Sequence, residues 1–152
     1  MTGSRLDPWI DSYADRAMGM TASEIRALFA VASRPEVVSL AGGMPFVNAL
    51  PMDAIASTVE HMLLTRGNVA LQYGGGQGDQ TLREQILEVM APVGVKAHPD
   101  DIVVTAGSQM ALDLVTKIFC NPGDVVLVEA PSYVGALGVF QSYQVDVEHV
   151  TM

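Results

Sequence analysis

A chain of 152 residues with a formal net charge of −9 is poorly suited to binding nucleic acid, because it has few basic side chains to neutralise phosphates. Its length suffices for one domain with a core, and 49% of its residues are hydrophobic. No stretch approaches the roughly eighteen apolar residues of a membrane span, and the start lacks a signal segment. The single cysteine excludes a disulfide framework, and the histidines show no metal-ligand spacing. We therefore expect a cytoplasmic protein without a metal centre.

The first fifty residues predict an irregular arm, a helix and a glycine bend. Met1–Thr21 shows little periodicity, and a helix that begins at Thr21 or Ser23 follows it. Further on, Gly42 and Gly43 stand close to a proline. Such a bend either only permits the turn or lets a ligand carboxylate lie against the backbone.

Two helices separated by a glycine-rich loop are predicted next. Apolar residues at helical spacing indicate a helix over Met52–Thr65, and a second helix is expected from about Asp79 to Met90. The intervening segment, Asn68–Gly78, contains three successive glycines, which fit neither a helix nor a strand comfortably. Tyr73 is therefore carried on an exposed loop, where it either anchors the loop or presents its hydroxyl to a ligand.

The stretch from Ile102 to Phe119 predicts a strand, a tight turn and a helix. Its first four residues are mostly β-branched, which is typical of a strand buried in a parallel sheet, and helical spacing of apolar residues begins after Gly107. The unpaired N–H groups at such a helix start form an anion site. Gly107 permits close approach, while Ser108 and Gln109 offer a hydroxyl and an amide. The turn alone leaves open whether Ser108 caps the helix or a phosphate binds.

A second strand and helix predict the fold class. Val125–Val128 reads as a buried strand, and Ser132 can cap a following helix, Val134–Ser142. This leaves Tyr133 at the carboxyl edge of the sheet, where open α/β sheets bind ligands. Alternating valines near the end of the chain predict another strand. The order of elements predicts an α/β fold with a mainly parallel sheet flanked by helices.

Four segments carry a more specific signal, and they read TASEIRALF, SLAGGMPFVNALP, LQYGGGQGDQTLRE and VVTAGSQMALDLVTKIFCNPGDVVLVEAPSYVGAL. Together they resemble the fold type I pyridoxal-phosphate (PLP) enzymes, specifically the class I and II aminotransferases of the 2-aminoadipate and kynurenine aminotransferase-like branch. The resemblance implies the amino-terminal portion of such an enzyme. Residues 1–50 would then supply an arm and a helix to the small domain and substrate pocket, and residues 51–152 the first part of the PLP-binding large domain.

The resemblance implies a cofactor site. In that family the turn that matches Gly107, Ser108 and Gln109 holds the cofactor phosphate, and the tyrosine that matches Tyr133 stacks on the pyridine ring. The tyrosine that matches Tyr73 reaches across a homodimer interface to the phosphate in the neighbouring subunit. Pyridoxal 5'-phosphate is therefore the expected cofactor, bound by a homodimer.

The resemblance also implies four substrate-binding residues. Gly42 and Gly43 match the family's segment near the substrate carboxylate, and Ser23 and Arg26 match positions that line the substrate pocket. An arginine there suits a second carboxylate, because its guanidinium can donate two parallel hydrogen bonds. The alternative, an arginine on a helix surface, stays open.

The residues that carry out PLP chemistry are not found in this chain. That chemistry requires a lysine that holds the cofactor and an acid beside the pyridine nitrogen. Only Lys96 and Lys117 are present, and neither matches the family's lysine motif. We expect the complete protein to transfer an amino group between an amino acid and a 2-oxo acid, and this portion alone, without the Schiff-base lysine, to be inactive. The alternative is a non-catalytic remnant of an aminotransferase-like protein, which either binds a phosphate ligand or has a regulatory role.

Overall fold

The computed structural model of the chain describes residues 9–18, 20, 31–32, 34, 36–40, 43 and 45–151. Ser23, Arg26 and Gly42 lie outside the described residues, as does most of the helix predicted around the first two. The chain divides into two units. The first comprises Met1–Ala22 and Thr105–Met152, and the second comprises Ser23–Val104.

Seven helices and strands are described, and we number them in chain order. They are α1 (Asp15–Met18), α2 (Met52–Ala70), α3 (Gln80–Met90), α4 (Ser108–Phe119), β1 (Val125–Ala130), α5 (Val134–Ser142) and β2 (Asp146–Thr151). Short 3-10 helices lie at Ile10–Ser12, Val47–Ala49, Ala91–Val93 and Pro99–Asp101. Among the helices of the described part, none is both long and apolar enough to cross a membrane.

The two long helices of the second unit confirm the sequence prediction. Helix α2 continues beyond the predicted Thr65 to Ala70, with a kink at Arg66 (φ −135°, ψ 17°). Helix α3 begins after Asp79, whose carboxylate accepts a hydrogen bond from the N–H of Leu82 at 3.1 Å. The helical spacing of its apolar residues predicts an apolar inward face for α3, but the buried residue of this helix is Arg83.

Helices α4 and α5 and the two strands form the first unit together with α1. The two strands pair in parallel, with Val125 beside Asp146 and Ala130 beside Thr151, which confirms the predicted parallel arrangement. Val139 of α5 and Val145, which precedes β2, are buried. Thr116 of α4 is only 2% exposed and donates its hydroxyl hydrogen to the carbonyl of Leu112 at 2.8 Å. The core of this unit therefore lies where α4, α5 and β2 pack.

The strand predicted at Ile102–Thr105 is not a strand within the described residues. The backbone of Ile102 is extended (φ −108°, ψ 132°), but no neighbouring strand pairs with this segment in the described part of the chain. The N–H of Val104 instead donates to the carbonyl of Gln77, a loop residue, at 2.8 Å. β-branched composition favours an extended backbone, whereas a strand also requires a partner ladder.

Tyr143 links the end of α5 to α4 and provides a pH-dependent contact. Its hydroxyl donates to Asp113 at 3.1 Å. Partial burial raises the pKa of Tyr143 above the usual value, the hydrogen bond to Asp113 and the charge of Asp113 raise it further, and Arg16 acts in the opposite direction. The contact therefore contributes stability that is complete below about pH 10, the unfolded pKa, and that is lost as pH rises through the higher folded pKa.

Alkaline titration of the full-length protein tests this contact. We expect the tyrosinate absorbance that disappears in Tyr143→Phe to titrate above the ordinary tyrosine pKa of about 10. The variant should also lose less stability than the wild type between neutral and strongly alkaline pH. If the tyrosinate absorbance that is lost in Tyr143→Phe titrates at or below the ordinary tyrosine pKa, the raised pKa of Tyr143 is contradicted.

Candidate functional site

The start of α4 has an unusual backbone. Gly107 adopts φ 81° and ψ 169°, a region that only glycine occupies without strain. The turn is held locally, because the N–H of Gly107 donates to the carbonyl of Thr105 at 2.9 Å and the Thr105 hydroxyl donates to the carbonyl of Gly107 at 3.0 Å. No atom of the described residues lies within 4 Å of the position that a Cβ would take on Gly107.

Within the described residues, no side chain caps this helix. Gly107 occupies the N-cap position and Ser108 is the first helical residue, so the alternative in which Ser108 merely caps α4 is wrong. The N–H groups of the first turn therefore lack a capping side chain, and the helix dipole places about half a positive charge there. Such a helix start is suited to an anion.

Tyr133 and Gln109 meet beside Gly135. The Gln109 side-chain amide donates to the carbonyl of Gly135 at 2.8 Å, which joins the start of α4 to the start of α5. A Cβ on Gly135 would lie 2.5 Å from Cε1 of Tyr133 and 2.7 Å from Oε1 of Gln109. Tyr133 remains 63% exposed. The structure thus brings an exposed aromatic ring to the amide side chain that follows Ser108.

The prediction that Ser132 caps α5 is wrong. Tyr133 occupies the N-cap position of that helix, and no side chain of the described residues caps it. The Ser132 hydroxyl donates instead to the carbonyl of Glu129, near the end of β1. A serine hydroxyl at this position can satisfy either a helix N–H or a nearby carbonyl, and the sequence does not distinguish the two.

Two predicted site residues, Tyr73 and Gly43, lie in the described part of the second unit. Tyr73 is 97% exposed, and its backbone N–H donates to the side chain of Gln72 at 2.8 Å. Gly43 has a positive φ of 62°, and among the described residues no atom lies within 4 Å of the position that a Cβ would take on it. The four residues that the structure brings together in one unit are Gly107, Ser108, Gln109 and Tyr133.

Sequence reasoning missed two contributors to this arrangement. Thr105 holds the Gly107 turn through its hydroxyl, and Gly135 leaves the space in which the Tyr133 ring meets Gln109. The sequence signal for Gly135 is a glycine two residues after a tyrosine, at the start of a predicted helix. Its hydrogen-bond partner on α4, Gln109, is 26 residues away in sequence, so only the folded structure reveals this contact.

Neither lysine lies at the start of α4. Lys117 is exposed in the last turn of α4, nine residues beyond Ser108. At 1.5 Å per residue this is roughly 14 Å along the helix axis. Lys96 is exposed in a loop of the second unit. The described residues of the first unit therefore place no lysine side chain beside the start of α4.

Comparisons with known proteins agree with the resemblance. The family model described as aminotransferase class I and II matches residues 36–152. The aromatic-amino-acid aminotransferase 1 of Thermococcus litoralis is 40% identical over 133 residues, which cover 87% of this chain and 32% of that protein. The chain thus spans about a third of the length of this relative.

Two solved structures have the same fold. A kynurenine aminotransferase of Pyrococcus horikoshii, solved with PMP, KYN as substrates and KYA as products, matches with a TM-score of 0.85 and 34% identity, over 98% of this chain and 37% of that one. The α-aminoadipate aminotransferase of Thermus thermophilus, complexed with N-(5'-phosphopyridoxyl)-L-leucine, matches with a TM-score of 0.78 and 36% identity, over 94% of this chain and 34% of that one. The predicted fold, part of the large domain of a fold type I PLP-dependent transferase, is confirmed. The chain belongs to the class I and II aminotransferases.

Proposed function

We propose that the full-length protein is a PLP-dependent aminotransferase that transfers an amino group between an amino acid and a 2-oxo acid. The observation that carries this proposal is the uncapped start of α4, with Gly107 in a glycine-only conformation and the exposed ring of Tyr133 on the same unit. Family membership and the phosphopyridoxyl ligand of a related structure support it. In this proposal residues 51–152 form the first part of the cofactor-binding large domain.

The described residues fit PLP. Its phosphate would rest on the first-turn N–H groups of α4 and on the Ser108 hydroxyl, and its ring would lie against Tyr133. One side-chain N–H of Gln109 already donates to Gly135, so the backbone N–H of Gln109 is the donor we assign to the phosphate. When bound, PLP supplies an electron sink for bond breaking at the α-carbon of an amino acid.

The lysine that holds the cofactor is proposed to come from polypeptide outside these 152 residues. Lys117 lies at the far end of α4 from Ser108, and Lys96 lies in an exposed loop. Neither side chain is enclosed in the kind of apolar pocket that activates a lysine as a nucleophile. We therefore propose that this portion alone binds and orients but does not transaminate.

The remaining sites complete the proposal. Gly42 and Gly43 would lie near the substrate carboxylate, and Ser23 and Arg26 would line the pocket, where Arg26 favours an acidic side chain.

Tyr73 would reach the phosphate of the neighbouring subunit in a homodimer, and its near-complete exposure supports this role. An exposed apolar stripe on α2 further supports packing against more protein; it comprises Ile55, Val59, Met62 and Leu63. The cytoplasmic location stays a prediction.

The decisive experiment uses the full-length protein. We expect it to purify with a PLP absorbance band that changes when an amino donor is added and returns when a 2-oxo acid is added. Transfer of the amino group is then followed by the new amino acid formed. A protein that binds PLP without transferring an amino group would favour the non-catalytic alternative, and one that does not bind PLP would contradict the proposal.

Gly135→Ala tests the position of the Tyr133 ring. The added methyl would overlap the ring and Gln109, so one of them must move. Because ring stacking contributes about 0.5–1.5 kcal/mol, we expect PLP affinity in the full-length protein to fall roughly 2- to 10-fold. Gly138→Ala is the matched control, since Gly138 lies on the same helix in open space. Equal PLP affinity for both variants would contradict the proposed stacking.

A further inference from the structure

Arg83 is the buried charged residue of α3 and bonds to a separate segment of the second unit. It is 7% exposed. One terminal nitrogen donates to the carbonyl of Pro99 at 2.7 Å and to Oδ1 of Asp100 at 3.1 Å, and the other donates to the side chain of Gln80 at 3.2 Å. Its Nε is buried without a partner in the described residues. Burying a guanidinium is costly, so these contacts must offset that cost.

The segment Pro99–Val104 also binds the end of the glycine-rich loop, residues 77 and 78. The Gln77 side chain donates to the carbonyl of Asp100 at 3.1 Å, and the Gln77 carbonyl accepts from the N–H of Val104 at 2.8 Å. Gly78 lies so close to Val104 that a Cβ on it would be 2.7 Å from the Val104 Cβ. Residues 77 and 78 are therefore fixed on the Pro99–Val104 segment, which Arg83 ties to α3.

Tyr73, at the other end of that loop, makes few packing contacts within the described residues. Tyr73 is 97% exposed. For each of the next three residues, Gly74, Gly75 and Gly76, no atom of the described residues lies within 4 Å of the position that a Cβ would take. Glycine has the greatest backbone freedom of any residue. The orientation of Tyr73 therefore depends on how firmly the ends of its loop are anchored.

We propose that Arg83 is a positioning residue for Tyr73. By fixing the Pro99–Val104 segment against α3, it anchors residues 77 and 78 and restricts the conformations from which the Tyr73 hydroxyl can reach a phosphate. This inference rests on the proposed function, in which Tyr73 binds the cofactor phosphate of the neighbouring subunit. Lysine cannot replace the arginine fully. Its single ammonium group cannot donate to all of these acceptors at once in the fixed planar geometry of a guanidinium.

A double-mutant cycle in the full-length dimer tests the inference, with PLP affinity as the measurement. A hydrogen bond to a charged group supports an expectation that Tyr73→Phe weakens PLP binding about tenfold. Arg83→Met is expected to weaken it by part of that factor, and Arg83→Lys by less. In the Tyr73→Phe background, Arg83→Met should cause no further loss, because its effect passes through the missing hydroxyl.

The outcomes separate the two claims. If Tyr73→Phe leaves PLP affinity unchanged, the proposed role of Tyr73 is wrong. If Tyr73→Phe weakens binding but the loss caused by Arg83→Met multiplies with it, the positioning role of Arg83 is overturned. If Arg83→Met does not fold, Gln77→Ala replaces it in the double-mutant cycle. This variant removes the hydrogen bond from the Gln77 side chain to the Asp100 carbonyl and leaves Arg83 in place. Glu88→Ala, an exposed position on α3, is the control and should leave affinity unchanged.

Discussion

Replacement of Gly107 by alanine is expected to weaken PLP binding by about 10- to 100-fold in the full-length protein. Alanine avoids the backbone conformation of Gly107, and holding it there costs about 1–3 kcal/mol. Because each 1.4 kcal/mol is a factor of ten in affinity, relaxation away from that conformation lowers affinity by a corresponding factor. No atom of the described part of the chain lies within 4 Å of the added methyl, so we expect the effect to come from the backbone.

Gly123→Ala provides a matched control for that result. Gly123 also has a positive φ, 85°, and open space around it, but it lies in the turn before β1, where its N–H donates to the carbonyl of Gln144 at 2.8 Å. Both variants should lose stability, measured as a lower thermal midpoint, whereas only Gly107→Ala should lose PLP affinity. A similar loss of affinity in both would show that general destabilisation, not the anion site, explains the effect.

Replacement of Gly78 by alanine is expected to lower the free energy of unfolding by about 2–5 kcal/mol. Gly78 has φ +101°, which strains any other residue, and the methyl would overlap Val104 at 2.7 Å. Both effects act at the place where the glycine loop meets the Pro99–Val104 segment. Denaturant unfolding of the full-length protein, followed by the transition that includes this unit, measures the loss.

Gly76→Ala is the control for Gly78. Gly76 lies in the same loop, without a positive φ and with no atom within 4 Å of a Cβ position. Its replacement should change the free energy of unfolding by less than about 1 kcal/mol. If Gly78→Ala is as stable as Gly76→Ala, the close packing of Gly78 on Val104 does not contribute to stability.

The sequence predicted the local structure around the candidate site well. Helix α4 followed from the spacing of its apolar residues, and β1 followed from its run of valines. The parallel pairing with β2 followed from the helix between the two strands. The helix and the strand depend on neighbours along the chain, which is why periodicity predicts them. The parallel pairing joins distant residues, but it follows from a general rule for two strands connected by a helix.

Contacts between distant residues could not be predicted in the same way. Arg83 looks like a surface residue of an amphipathic helix, and only the approach of the Pro99 carbonyl, 16 residues away, explains its burial. The same holds for the bond from Gln109 to Gly135. The extended segment before Gly107 had the composition of a strand, but composition does not supply a pairing partner. Serine presents a similar ambiguity, since Ser132 bonds backwards to Glu129 rather than capping α5.

The central claim is that an anionic phosphate binds the uncapped start of α4. The most direct test compares the affinities of PLP and of pyridoxal, which lacks the phosphate, for the full-length wild type and Ser108→Ala. We expect the variant to bind PLP about tenfold more weakly, because a hydrogen bond to a charged group is lost, and to bind pyridoxal as the wild type does. Unchanged PLP affinity, or an equal loss for both ligands, would contradict the assignment of the phosphate to this helix.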